Sequence, residues 1–171
     1  MVNDILKTEN KFLGMIQTKT NNELFNVGCI GQITDQEHLP DGRILINLKG
    51  VSRFTINKEL ETEKKYRVCN VSYEKYAQDI EEVSLAVSTN QEMINKTKKF
   101  LEKNSILLNW QELNKLDFKE ILNTMAMIAP ISSEEKQKLL EAENFKTREQ
   151  FFNEILDFYL LKTTPASKIF H

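Results

Sequence analysis

At 171 residues, 40% of them hydrophobic and 28% charged, the chain is long enough to bury a sizeable core without disulfides or a structural metal. Its formal net charge of −2, with acids interleaved among lysines as in Glu59, Glu61, Glu63, Lys64 and Lys65, offers no global attraction for nucleic acid or an anionic membrane. No apolar stretch approaches the roughly 20 residues of a membrane helix, and the N-terminus lacks the basic segment and apolar core of a secretory leader. Cys29 and Cys69 belong to no CxxC pair, so buried thiols in a cytoplasmic protein are expected.

The hydrophobic period is two before Tyr76 and lengthens to between three and four after it. This divides the chain into an expected β-rich subdomain, 1–78, and a helical bundle, 79–171. Phe12 to Gln17 is a short candidate strand. Phe25, Val27, Cys29 and Ile33 alternate along a second strand, where Gly28 and Gly31 suggest a bulge or a close backbone approach. Leu39-Pro40-Asp41-Gly42 then reads as a hairpin turn: Pro40 presets a dihedral, Asp41 can bond its own backbone, and Gly42 accepts a positive φ. The return strand carries Ile44, Ile46, Leu48, Phe54 and Ile56, all even-numbered and therefore expected on one face. Gly50 predicts a bend or bulge within it. Tyr66 to Tyr73 is a further strand, with Cys69, Val71 and Tyr73 on one face.

Helices follow. Val83, Val87, Ile94 and Leu101 recur at helical intervals. Phe118, Ile121, Leu122, Met125 and Ile128 define a second helix closed by Pro130. Ser132 and Glu135 form a capping box for a third, through Leu139 and Leu140. Thr147 and Gln150 suggest another box for a fourth, carrying Phe151, Ile155, Leu156 and Tyr159 and ending before Thr163, Thr164 and Pro165. With only eight Gly and Pro residues in all, the two halves are expected to pack together rather than swing on a flexible tether.

The chemistry of catalysis is poorly supplied. None of the five glycines precedes a Lys-Ser or Lys-Thr pair, Gly28-Cys29-Ile30-Gly31 completes no dinucleotide fingerprint, and no GxSxG elbow occurs. His38 beside a turn and His171 at the end of the sequence are the only imidazoles, a thin basis for a triad or a zinc site. Glu81-Glu82 and Glu134-Glu135 are adjacent pairs, which do not face each other on a helix as an acid–base dyad would. Glu134 and Glu135 suit the positive end of a helix dipole. Nothing in the spacing singles out a Ser-Lys pair. The expectation is a protein that is not an enzyme and takes no cofactor or metal.

The stretch from Asn26 to Ile56, NVGCIGQITDQEHLPDGRILINLKGVSRFTI, resembles the signature of the Lon substrate-binding (N-terminal) domain family. The resemblance rests on Val27-Gly28, on the turn Leu39-Pro40-Asp41-Gly42, and on Leu48, Gly50, Arg53 and Phe54 of an L-x-G-x-x-R-F pattern. Met125 to Ala142, MAMIAPISSEEKQKLLEA, is similar to the family's helix–Pro–helix junction. The resemblance implies an α+β chain: a PUA-like β pseudo-barrel followed by a C-terminal helical bundle. It implies a standalone member lacking the ATPase and protease domains that follow this region in Lon proteases. The family's opening L-P-L-F-P-L strand has no counterpart here, since Met1-Val2-Asn3-Asp4-Ile5-Leu6 resembles the helix after it. A barrel without that strand is expected to expose backbone edge and to be less stable than an N-terminally extended chain.

The function implied is capture of unfolded or hydrophobic polypeptide segments by an adaptable apolar groove. Met15, Phe25, Met93, Met125, Met127 and Phe152 are the candidate lining, each of them equally suited to a core. Arg53 suits a structural role, as a buried or half-buried partner for a carboxylate or carbonyl next to the Gly50 bend. A second reading is an adaptor for one folded partner, such as a protease or chaperone component. A third, RNA binding, follows only from the PUA-like fold. The best basic cluster, Lys96, Lys98, Lys99 and Lys103, is diluted by Glu92 and Glu102 and has no interleaved aromatic stripe.

Overall fold

A computed structural model describes residues 1–80 and 90–162. The chain forms two compact units, Met1–Ser84 and Leu85–His171. Val83 and Val87, the Glu81-Glu82 pair, and Thr163, Thr164, Pro165 and His171 lie outside the described residues.

The first unit opens with a short helix, α1 (Val2–Ile5), and continues as a four-stranded antiparallel sheet. Its strands are β1 (Phe12–Met15), β2 (Val27–His38), β3 (Ile44–Leu60) and β4 (Val68–Ser72), in the spatial order β1-β2-β3-β4. The bridge Thr18↔Leu24 extends the β1–β2 hairpin past Met15. β4 is shorter than the alternation suggested: Tyr73 leaves the strand and precedes a 3-10 helix, Glu74–Asp79.

The long β2–β3 hairpin is made by its turn. The Gly42 N–H donates to the Leu39 carbonyl at 3.0 Å, the Arg43 N–H donates to Asp41 Oδ1 at 3.0 Å, and Gly42 has φ +85°. That φ strains any residue with a Cβ, so glycine follows the turn.

The register corrects one expectation. Ile30 faces Ser52 while Gly31 faces Gly50, so Val51 is an extra residue in β3. One inserted residue inverts the alternation. Leu48 and Gly50 share a face with Ile33, Gly31 and Arg53, whereas Phe54 shares the opposite face with its partner Gly28. Ile44, Ile46 and Leu48 therefore do not lie on the same face as Phe54 and Ile56. A bend signal at Gly50 was legible; its effect on parity was not.

Phe54 is 6% exposed and lies across two glycines. A Cβ on Gly28 would stand 2.6 Å from Phe54 Cζ and 2.6 Å from the Met15 carbonyl oxygen, and one on Gly14 would stand 3.5 Å from Phe54 Cζ. The ring fills the space that a side chain on Gly28 would have taken and lies within van der Waals range of Gly14. This is the close approach signalled by glycine in the middle of a strand.

The second unit comprises α2 (Gln91–Lys103), α3 (Trp110–Leu113), α4 (Phe118–Ile128), α5 (Ser133–Glu141) and α6 (Phe145–Lys162). Met93, Phe100, Leu122, Met125, Phe152 and Leu156 anchor a core shared by α2, α4 and α6. Ser132 and Glu135 close their capping box as expected, and Asp117 with Glu120 forms another that starts α4. α6 differs: Asn144 is its cap, with Oδ1 accepting from the Thr147 N–H at 2.9 Å and the Thr147 hydroxyl at 3.1 Å. Asparagine caps as well as serine or threonine, which moves the start of the helix to Phe145.

Gly28→Ala is expected to destabilise the chain by about 1–3 kcal/mol through overpacking, and Phe54→Ala by about 3–5 kcal/mol through cavity formation. In the double variant the clash with the ring is gone and only that with the Met15 carbonyl oxygen remains, so the combined cost falls below the sum of the two. Urea unfolding checks this, and strictly additive costs would show that ring and glycine do not share one space.

Candidate functional site

β2 and β3 pair with each other beyond the reach of β1 and β4, forming a two-stranded arm. β1 pairs with β2 only as far as Phe12↔Gln32, and β4 pairs with β3 only from Thr55 onward. Among the described residues, the segments Asp35–His38 and Ile44–Asn47 therefore have only each other as strand partners. Thr34 is an extra residue at the base of the arm, and its hydroxyl donates to the Asn47 carbonyl at 3.3 Å. Leu45 is 57% exposed, and Leu48 and Val51 are exposed beside it.

Where β4 stops, a carboxylate takes over. Asp79 Oδ2 accepts from the Arg53 backbone N–H at 3.0 Å and from Arg53 Nε at 2.7 Å, while Oδ1 accepts from Nη2 at 2.8 Å. The Arg53 guanidinium also lies 4.1 Å from the centre of the fully buried Tyr76 ring. The 3-10 helix thus delivers an acid and an aromatic face to one cation, in the fork geometry that arginine offers and lysine does not. The structural role expected of Arg53 is the one it has.

The six residues expected to line a groove separate into two groups. Met93, Met125 and Phe152 are completely buried in the helical core. They fall at the core-facing positions of α2, α4 and α6, so they hold helices together instead of presenting a surface to a ligand. Met15 (56% exposed) and Met127 (69% exposed) face solvent, and Phe25 is half-buried with Lys19 Nζ 5.7 Å from its ring centre. Met15 and Phe25 lie at the same end of the β1–β2 hairpin, since Met15 faces Cys29 and the Phe25 N–H donates to the Gln17 carbonyl. Met127 lies in the last turn of α4, on the other unit, where its carbonyl accepts from Lys136 Nζ at 2.7 Å.

A cleft of about 690 Å³ lies beside the β3–β4 connection, lined by Glu59, Leu60, Thr62, Lys64, Tyr66 and Arg67 among others. It is charged, not apolar. Arg67 Nε donates to Glu59 Oε1 at 2.6 Å, which holds the Glu59 carboxyl below and the Arg67 guanidinium above their ordinary values. Lys64 Nζ and the Tyr66 hydroxyl both donate to Asp4 Oδ2, at 2.8 and 3.0 Å, tying α1 to this end of the sheet. The same bonds lower the Asp4 pKa and raise those of Lys64 and Tyr66. Burial pushes the Cys69 thiol up, away from the reactive thiolate. Among the described residues no group of His, Cys, Asp and Glu side chains could hold a metal ion, and no helix is long and apolar enough to cross a membrane.

The family model for the ATP-dependent protease La (LON) substrate-binding domain matches residues 1–157. The chain belongs to the Lon substrate-binding domain family. It is 28% identical over 153 residues to Lon protease of Buchnera aphidicola, a match covering 81% of this chain and 18% of that protein. It therefore spans less than a fifth of that relative's length. The fold resembles the N-terminal domain of Mycobacterium avium complex Lon protease, with a TM-score of 0.56 at 14% identity, covering 95% of this chain and 83% of that one. It also resembles a Lon N-terminal domain protein from Xanthomonas campestris, with a TM-score of 0.54 at 14% identity, covering 86% and 89%. The α+β fold is that of Lon N-terminal domains.

The pattern that carried the family resemblance now has physical content in this member. Gly28 lies under Phe54, Gly42 ends the turn, Gly50 precedes the inserted residue, and Arg53 grips Asp79.

Two outcomes follow. Asp79→Ala takes the carboxylate away from a buried guanidinium and is expected to cost about 3–5 kcal/mol in urea unfolding, with Arg53→Met in the same chain recovering part of the loss. An unchanged midpoint for Asp79→Ala would show that the pair contributes nothing. At the other end, the depressed Asp4 carboxyl stabilises the tether above the ordinary carboxylate range and loses that effect as pH falls through its own lower value. Lys64 and Tyr66, both raised, stabilise it below about pH 10 and lose that effect as pH rises through their values. In an NMR titration Asp4→Asn is expected to return Tyr66 to the ordinary phenol range; an unmoved Tyr66 titration would contradict the bond.

Proposed function

We propose that this chain is a non-catalytic polypeptide-binding domain of the cytoplasm, capturing unfolded or hydrophobic protein segments and working beside a protease or chaperone component. Membership of the Lon substrate-binding domain family supports this reading. The observation that carries it is the presence of flexible, large apolar side chains at the surface: Met15 with the half-buried Phe25 on the sheet unit, and Met127 with Phe158 on the helical unit. Methionine adapts its shape to many partners, which suits recognition of apolar side chains without strict sequence readout. Water leaves such surface on contact with an unfolded chain, and that release supplies the driving force.

The test is binding of the purified chain to a fluorescently labelled, reduced and alkylated model protein that cannot fold. Saturable binding is expected, competed by unrelated unfolded chains and not by the same proteins folded. Substituting Met15→Ser together with Met127→Ser is expected to weaken it about threefold or more, in line with the loss of two apolar anchors. Absence of binding, or competition by a single folded protein alone, would overturn the reading.

A further inference from the structure

The Ile33 N–H donates to the Lys11 carbonyl, on the side away from β3. In an antiparallel pair, two residues that face each other either exchange backbone bonds or both point away. Ile33 faces Leu48, so the Leu48 N–H and C=O point away from β2. β3 is regular from Ile44 to Lys49, and alternation sends the polar groups of Ile46 and Ile44 the same way. The turn agrees, because the Arg43 carbonyl accepts from Leu39 and therefore points inward. Ile44, Ile46 and Leu48 thus present backbone donors and acceptors along one outer edge, and no bond to those groups is found among the described residues. Their side chains share one face of the arm, half-buried for the two isoleucines and 37% exposed for Leu48.

We propose that this outer edge of β3, from Ile44 to Leu48, is a strand-docking site for an extended polypeptide segment with apolar residues at alternate positions and an acidic residue placed against Lys49. The proposal rests on the polypeptide-binding reading above and names the form in which the polypeptide is held. An unpaired row of N–H and C=O groups is completed by another strand. Apolar side chains on the incoming strand continue the Ile44, Ile46 and Leu48 row, because neighbours across a ladder share a face. Lys49 is exposed on the opposite face, and among the described residues no carboxylate pairs with it, so an acid on the ligand's other face complements it. A second copy of this chain fits worse. Antiparallel pairing of two such edges about Ile46 sets Arg43, whose charge Asp41 already answers, opposite Lys49, which is left without an acid.

The experiment is amide hydrogen exchange by NMR on the whole chain, with a synthetic peptide of alternating valine and acidic residues as probe. Its control is the same peptide N-methylated at alternate amides, which cannot form the ladder. The Ile44, Ile46 and Leu48 amides are expected to exchange fast in the free chain and to slow at least tenfold with the probe. The inward Leu45, Asn47 and Lys49 amides change little. The N-methylated peptide gives no protection, and Lys49→Glu weakens the probe severalfold. Capture of the unfolded model protein without protection at these three amides overturns the edge proposal and leaves the wider reading standing. Loss of all unfolded-chain binding overturns the wider reading instead. Protection that rises with protein concentration in the absence of peptide assigns the edge to a second copy and overturns the proposal.

Discussion

Arg53 and Phe54 are neighbours in the sequence, and an extended strand sends them to opposite faces of the sheet, where both are nonetheless buried. One face is closed by the 3-10 helix, which brings Asp79 and Tyr76 onto the guanidinium. The other is closed by the Phe54 ring itself, spread over Gly28 and Gly14. A sheet strand can bury both faces only where something covers each of them. Val51, the extra residue just upstream, lets this doubly covered segment coexist with an arm whose apolar row faces one way. Without the insertion, the row Ile44, Ile46 and Leu48 would share the Phe54 face rather than the Arg53 face.

Legibility in the sequence followed the range of the interaction. The turn at Leu39–Gly42 and the box at Ser132–Glu135 are local, four residues each, and were readable from residue type alone. Asn144 was equally local but competed with a Thr–Gln pair that looked like a capping box. The inserted Val51 was unreadable, because a bulge is defined by the partner strand: Gly50 signalled a disturbance without saying that parity flips. Asp79 lies 26 residues from Arg53, and no periodicity links them. The split among the six candidate lining residues has the same origin. Methionine at helical spacing looks identical whether its face meets other helices, as for Met93 and Met125, or solvent, as for Met127.

The exposed arm raises a question of stability and specificity together. A two-stranded ribbon is marginal in water, and one with an apolar row along an open edge invites association with any strand that finds it. Two features limit that here. The arm is anchored at its base, where β2 gains β1 as a neighbour and β3 gains Asp79 and then β4. Its edge is flanked by Arg43 and Lys49, which offer no acid to the Lys49 of another copy. Arg43 is partly neutralised by Asp41 at 2.7 Å, so Lys49 supplies most of the discrimination. In the strand-docking proposal, an edge ill matched to itself and suited to an acidic strand draws both properties from the same few residues of β3.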